Sequence, residues 1–249
     1  MRTTNILLAL ITAVGIGRAA AARAGDEVDL LLVLAADVSR SVDAAKFQLQ
    51  RQGYAAALSD PRVLETIGAG RAGRIGVSFV EWSGAEAQRV VIDWMAVGDA
   101  ASAKDFGDRL LEAPRSFVGR TSISGAINFA MNRFDQARFS ADRRTIDISG
   151  DGTNNDGGDV TAARDDAVGK RVIINGLVIL SDSPMSWNPQ HTNPPGGLDN
   201  YYRHNVVGGP GAFVMVAQNF QSFGRAIVAK MIAEVAQAQP PGLRQASGR

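Results

Sequence analysis

The chain has 249 residues, 45% of them hydrophobic and 20% charged, with 26 basic against 25 acidic side chains. That length admits one large α/β domain or two small ones, and the composition is that of a globular chain with an ordinary core. Aromatics at 6% and a complete lack of cysteine argue against aromatic platforms for sugars or bases, and exclude a disulfide framework or a cysteine-linked lipid anchor.

Met1 to Ala24 reads as a secretory signal peptide. Arg2 supplies a positive start, Ile6 to Gly17 an apolar stretch too short to span a bilayer, and Ala22-Arg23-Ala24 a small-residue cleavage site. The leader carries Arg2, Arg18 and Arg23 and no acid, so the mature chain keeps 23 bases against 25 acids, a net charge of about −2. The basic balance of the precursor therefore gives no reason to expect nucleic-acid binding. No later stretch resembles a transmembrane helix. The expectation is a periplasmic or secreted protein without a membrane span, with one domain over residues 25–238 and a disordered tail over 239–249.

Val28 to Leu34 is an apolar run that alternation does not explain, as expected of a strand buried on both faces of a parallel sheet. Polarity then switches at Asp37, Ser39 and Ser41, and a helix is expected from about Ser41 to Leu58, ended by Asp60-Pro61. Glu65 to Gly73 reads as a loop. Arg74 to Trp82 and Arg89 to Trp94 alternate as a hairpin that places an antiparallel strand at the sheet edge. Ala100 to Leu111 reads as a helix, and Gly119-Arg120-Thr121 as a polar loop before another helix over about Ile123 to Arg138.

Arg144 to Ser149 is a strand closed by Gly150-Asp151-Gly152, followed by a helix over Asp159 to Gly169. Val172 to Leu180 is a second buried strand. Ser181 to Pro210 is rich in Pro, Gly, Asn and aromatics, longer than ordinary connections, and so expected to be functional or mobile. Ala212 to Ala217 returns as a strand. Phe220 to Val235 is a helix with Phe220, Phe223, Ile227, Met231 and Val235 on one face. This alternation makes one doubly wound α/β domain, its sheet mostly parallel with one antiparallel edge strand and helices on both faces.

Three small oxygen-bearing side chains, Asp37, Ser39 and Ser41, stand at every second position after a buried strand, where open α/β sheets place their ligands. Such a spacing can turn all three oxygens toward one point, an arrangement that suits a hard cation such as Mg²⁺. Ser41 alone is explained as a helix cap. Asp37 is not, because an uncompensated carboxylate there costs on the order of several kcal/mol. Thr121 alone is a plausible cap and Asp151-Gly152 alone a turn. Asp43 and Asp147 are expected to be structural, Asp156 and Asp159 turn and helix-start residues, and His191 and His204 surface residues.

Taken together, the D-x-S-x-S run at Asp37, Ser39 and Ser41, then Thr121, then Asp151 before Gly152 resemble the von Willebrand factor A domain, or integrin I-like fold, over roughly Val28 to Val235. The resemblance implies that these five residues form a metal-ion-dependent adhesion site. The run from Tyr201 to Val214 is closer to a secreted bacterial branch of that family with no assigned function, domain of unknown function 1194.

A ligand set dominated by neutral hydroxyls leaves a divalent ion under-neutralised, so an acidic side chain of a partner protein can complete its shell. The expectation is a non-enzymatic, exported binding module using Mg²⁺, with Mn²⁺ or Ca²⁺ as alternatives. A metal-assisted hydrolase and a metal-free scaffold are the rivals. No G-x-S-x-G elbow or Walker loop is present, and Ser39 stands where an aspartyl phosphotransferase needs a second acid. The segment around Trp187 to Tyr202 is the candidate for partner specificity.

Overall fold

The computed structural model describes residues 27–181 and 188–238. The signal-peptide and tail readings, and Trp187, lie outside the described residues. The elements in order are β1 (Leu31–Asp37), α1 (Ala44–Leu58), α2 (Pro61–Gly68), β2 (Ile75–Trp82), β3 (Gln88–Val97), α3 (Ala100–Glu112), α4 (Ile123–Phe134), β4 (Arg144–Gly150) and α5 (Val160–Gly169). Then follow β5 (Val172–Ile179), α6 (Pro189–Thr192), α7 (Leu198–Asn205), β6 (Val214–Ala217), a 3-10 turn at Phe220–Ser222 and α8 (Phe223–Ala238).

The sheet order is β3-β2-β1-β4-β5-β6, with every pair parallel except β2 with β3. The expected fold class and antiparallel edge are therefore found. β1 is central, and all seven of its residues are buried. Leu32, Leu34 and Ala36 enter one apolar layer with Tyr54, Phe106 and Phe223, while Leu31, Val33 and Ala35 enter the other with Ile127, Phe134 and Tyr202. A strand that feeds two cores has no polar face to show, which is why its sequence does not alternate.

Helices α1, α2, α3 and α8 cover the first layer, and α4, α5 and α7 the second. The chain leaves β1 toward the first layer through α1, and leaves β4 toward the second through α5. Adjacent strands whose outgoing connections part in this way open a crevice at their carboxyl ends.

Several boundaries differ from expectation. Asp60-Pro61 ends α1 but also starts α2, because Asp60 caps it and Pro61 takes its first turn, where a proline needs no N–H partner. The segment read as a loop from Glu65 is thus helical to Gly68. Helix α4 stops at Phe134 rather than near Arg138. The long segment after β5 is not structureless: α6 and α7 fold within it, and Leu198, Tyr202 and Val206 are buried in the second layer.

Candidate metal centre at the crevice between β1 and β4

Asp37 ends β1 fully buried. Its Oδ1 accepts the Ser39 N–H at 2.7 Å, which curls the loop, while its Oδ2 is buried without a hydrogen-bond partner among the described residues. Ser39 Oγ lies 3.1 Å from Ser41 Oγ, and the Ser41 hydroxyl donates to Asp151 Oδ1 at 2.5 Å. Asp151 Oδ2 is the second buried oxygen without a hydrogen bond; the Lys46 ammonium stands 3.8 Å from it and donates to the Ser41 carbonyl at 2.8 Å.

The loop after β1 is clamped from outside by Arg115. Its Nη2 donates to the carbonyls of Val38 (2.7 Å), Ser39 (3.1 Å) and Val42 (2.7 Å). The Arg40 N–H donates to the Gly119 carbonyl at 2.9 Å and ties this loop to the one before α4. There, Thr121 is buried; its N–H donates to Asn155 Oδ1 at 3.0 Å, and its carbonyl accepts the N–H groups of Asn155 and Asp156 at 2.9 and 3.1 Å. The Thr121 loop is therefore pinned to the loop after β4, the one that carries Asp151.

The loop after β4 needs its glycines. A Cβ on Gly150 would stand 2.5 Å from the Tyr202 hydroxyl and 3.2 Å from Asp37 Oδ2, and one on Gly152 would overlap the His191 ring at 2.3 Å. Tyr202 and His191 thus occupy the space those glycines leave. His191 corrects the expectation of a surface residue: it is buried, with Nε2 at 3.2 Å from Thr121 Oγ1 and Nδ1 at 3.3 Å from both Thr153 Oγ1 and Asn155 Nδ2. His204 is exposed as expected.

Asp43 and Asp159 cap α1 and α5, and Asp156 accepts the Ala85 N–H, so these three have the structural roles expected of them. The site residues that sequence reasoning missed are Lys46, Arg115, Asn155, His191 and Tyr202. Of these, Lys46 and Asn155 lie within five residues of a motif position, and the others do not.

The electrostatics of the pair are unfavourable as they stand. Burial, followed by the nearby Asp151 carboxylate, pushes the Asp37 carboxyl up to about 8. Burial also raises Asp151, opposed by the Ser41 hydroxyl and then Lys46. Burial, then Asp37 and Asp151, holds the Tyr202 phenol well above its ordinary value, so it faces the pair as a neutral hydroxyl.

Two buried like charges with open oxygens fit a divalent cation, which would let both ionise. With the hydroxyls of Ser39, Ser41 and Thr121, the donor set is all oxygen, which matches Mg²⁺, Mn²⁺ or Ca²⁺ by chemistry. Among the described residues, no group of three or more His, Cys, Asp or Glu side chains is gathered as a nitrogen- or acid-rich metal site. A cleft of about 320 Å³ opens over Ser41 and Thr121, bordered by Arg40, Arg120, Asn155 and His191.

Comparison with known proteins gives a family and a fold. The sequence profile of the family described as "Protein of unknown function (DUF1194)" matches residues 27–239. No curated protein matches. Among solved structures, a von Willebrand factor type A protein from Catenulispora acidiphila superimposes with a TM-score of 0.56 at 16% identity, over 84% of this chain and 43% of that one. Proximal thread matrix protein 1 from the mussel byssus, in a form with a zinc-occupied MIDAS motif, gives 0.56 at 15% identity, over 84% and 48%. The conserved hypothetical protein BatB from Bacteroides thetaiotaomicron gives 0.51 at 19%, over 84% and 99%. The chain thus spans less than half the length of the first two, and likenesses at this identity speak for the fold alone.

Proposed function

The chain belongs to the DUF1194 family and has the von Willebrand A-type fold, and from that premise we propose that it is a protein-binding module whose divalent-cation site engages an acidic side chain of its partner. In this reading Asp37, Ser39, Ser41, Thr121 and Asp151 hold the ion, Mg²⁺ or one of the related hard cations Mn²⁺ and Ca²⁺. The ion supplies an open, electrophilic coordination position for a carboxylate from outside. Asp37 and Asp151 supply the negative charge, the three hydroxyls supply neutral donors, and Arg115 and Asn155 hold the loops in register.

The observation that carries the reading is the pair of buried carboxylates, one on each side of the crevice, each with an oxygen that accepts no hydrogen bond among the described residues. We propose the role as non-enzymatic and the protein as exported, in keeping with the leader-like sequence at residues 1–24. Among the described residues no helix is long and apolar enough to cross a membrane.

Calorimetric titration with Mg²⁺ and Mn²⁺ tests the site. Wild type is expected to bind one ion, and folded Thr121→Ala and Asp151→Asn to lose at least about tenfold in affinity, the order expected when a ligand is removed. No heat at millimolar ion in wild type, or unchanged affinity in both variants, would refute the assignment.

A further inference from the structure

We infer that the cleft above the hydroxyls recognises an acidic pair, two carboxylates close together on one partner segment, with Arg40 and Arg120 receiving the second. This rests on the proposed function, in which the first carboxylate completes the ion's shell.

Arg40 lies between Ser39 and Ser41, and Arg120 directly precedes Thr121, so each guanidinium is rooted one residue from a proposed hydroxyl ligand. The hydrogen bond from the Arg40 N–H to the Gly119 carbonyl at 2.9 Å joins the two backbones beside those side chains. The backbone positions from which the two side chains leave are therefore set by the same loops that set the ligands. Both arginines are exposed, both border the cleft, and no carboxylate of the described residues borders it. Among the described residues neither guanidinium has a hydrogen bond or an ion pair.

The charge count makes the case. The two buried carboxylates match a divalent ion only if both are ionised; Lys46 already stands beside Asp151, and the mouth adds two further cations. A single incoming carboxylate leaves the guanidiniums unanswered, whereas a second one can take planar, two-point hydrogen bonds from an arginine.

A random peptide library displayed on phage, selected on the mature protein in Mg²⁺ and eluted with EDTA, tests this. The consensus peptide is then made with each acid replaced in turn by its amide and titrated against wild type and an Arg40→Gln/Arg120→Gln variant. The consensus is expected to hold two acids within a few positions. Amidation of the second acid weakens wild-type binding about tenfold, the scale of one or two partly exposed ion pairs, and leaves the double variant unaffected.

An EDTA-eluted consensus with a single acid, or equal losses in both proteins, overturns the acidic pair and leaves the metal-bridged reading standing. A protein that binds Mg²⁺ yet returns no EDTA-eluted peptide overturns the metal-bridged reading, and the acidic pair with it.

Discussion

The molecule buries two pairs of carboxylates around β4, and treats them differently. Under α8, Asp147 and Glu234 share the Lys230 ammonium, which is 2.8 Å from Asp147 Oδ1 and in contact with Glu234; all three side chains are fully or almost fully buried. Asn175 donates to Glu234 at 2.9 Å and accepts the Phe213 N–H at 3.1 Å, which ties the cluster to the approach to β6. At the crevice, among the described residues, Lys46 is the one cation within ion-pair reach, 3.8 Å from Asp151 and with 28% of its side chain exposed, and Arg115 acts on Asp37 from the far side of the loop. One pair shares a fully buried cation built into the chain, although Asp147 Oδ2 and Glu234 Oε2 accept no hydrogen bond among the described residues. The other is left open to a cation from solution. A buried acid pair is thus a sign of a ligand site only where its own side chains leave it unanswered.

The comparison breaks most sharply at Lys230. Lys230→Met strands two buried carboxylates and is expected to destabilise by about 3–5 kcal/mol in urea unfolding. Adding Asp147→Asn and Glu234→Gln should restore much of that, since the cost lies in the unpaired charges. If Lys230→Met alone is neutral, the cluster does not hold α8 to the sheet.

A smaller effect follows from Asp147, whose carboxyl burial pushes up to about 7, opposed by Lys230 and reinforced by Glu234. Its folded value lies above the unfolded one of about 3.9, so the native state holds the proton more tightly. The stability this group contributes is complete below about pH 4 and is lost as pH rises through about 7. Urea midpoints measured in EDTA between those limits should fall with pH, and Asp147→Asn should flatten part of the slope. A midpoint that rises with pH in wild type and not in the variant would contradict the assignment.

The smallest effect is at Lys46. Its ammonium partly answers Asp151, so Lys46→Met should tighten Mg²⁺ binding by roughly threefold in calorimetry, the scale of a half-exposed ion pair. Weaker binding would mean that Lys46 supports the ion site rather than competing with the ion.

What could be read in the sequence divides along similar lines. Strand β1 was legible because both its faces are apolar, and Asp37, Ser39 and Ser41 because they break that run at a regular spacing. Thr121 and Asp151 stand out only as polar loops beside elements. His191 and Tyr202 were not legible, since they meet the loop after β4 from tens of residues away and no local period marks them. Arg115 reaches its carbonyls across 73 to 77 residues. Helix α2 was hidden because Asp-Pro both stops one helix and starts another. Lys230 and Glu234, four apart on a helix, have the spacing of an ordinary solvated pair, and only the polar Asp147 and Asn175 on the strands below make the buried arrangement workable.

The central claim is that Asp37 is a buried carboxyl whose ionised form the chain does not stabilise and a divalent ion does. Thermal melts of wild type and Asp37→Asn, each in EDTA and in excess Mg²⁺, test it most directly. The account predicts that Asp37→Asn melts at or above wild type in EDTA, because it removes a carboxyl whose ionised form burial and Asp151 disfavour, and that only wild type gains stability with Mg²⁺, as a protein that binds the ion in its native state must. A wild type indifferent to Mg²⁺, together with an Asp37→Asn variant that melts well below it in EDTA, would contradict the account and make Asp37 a structural residue of the loop.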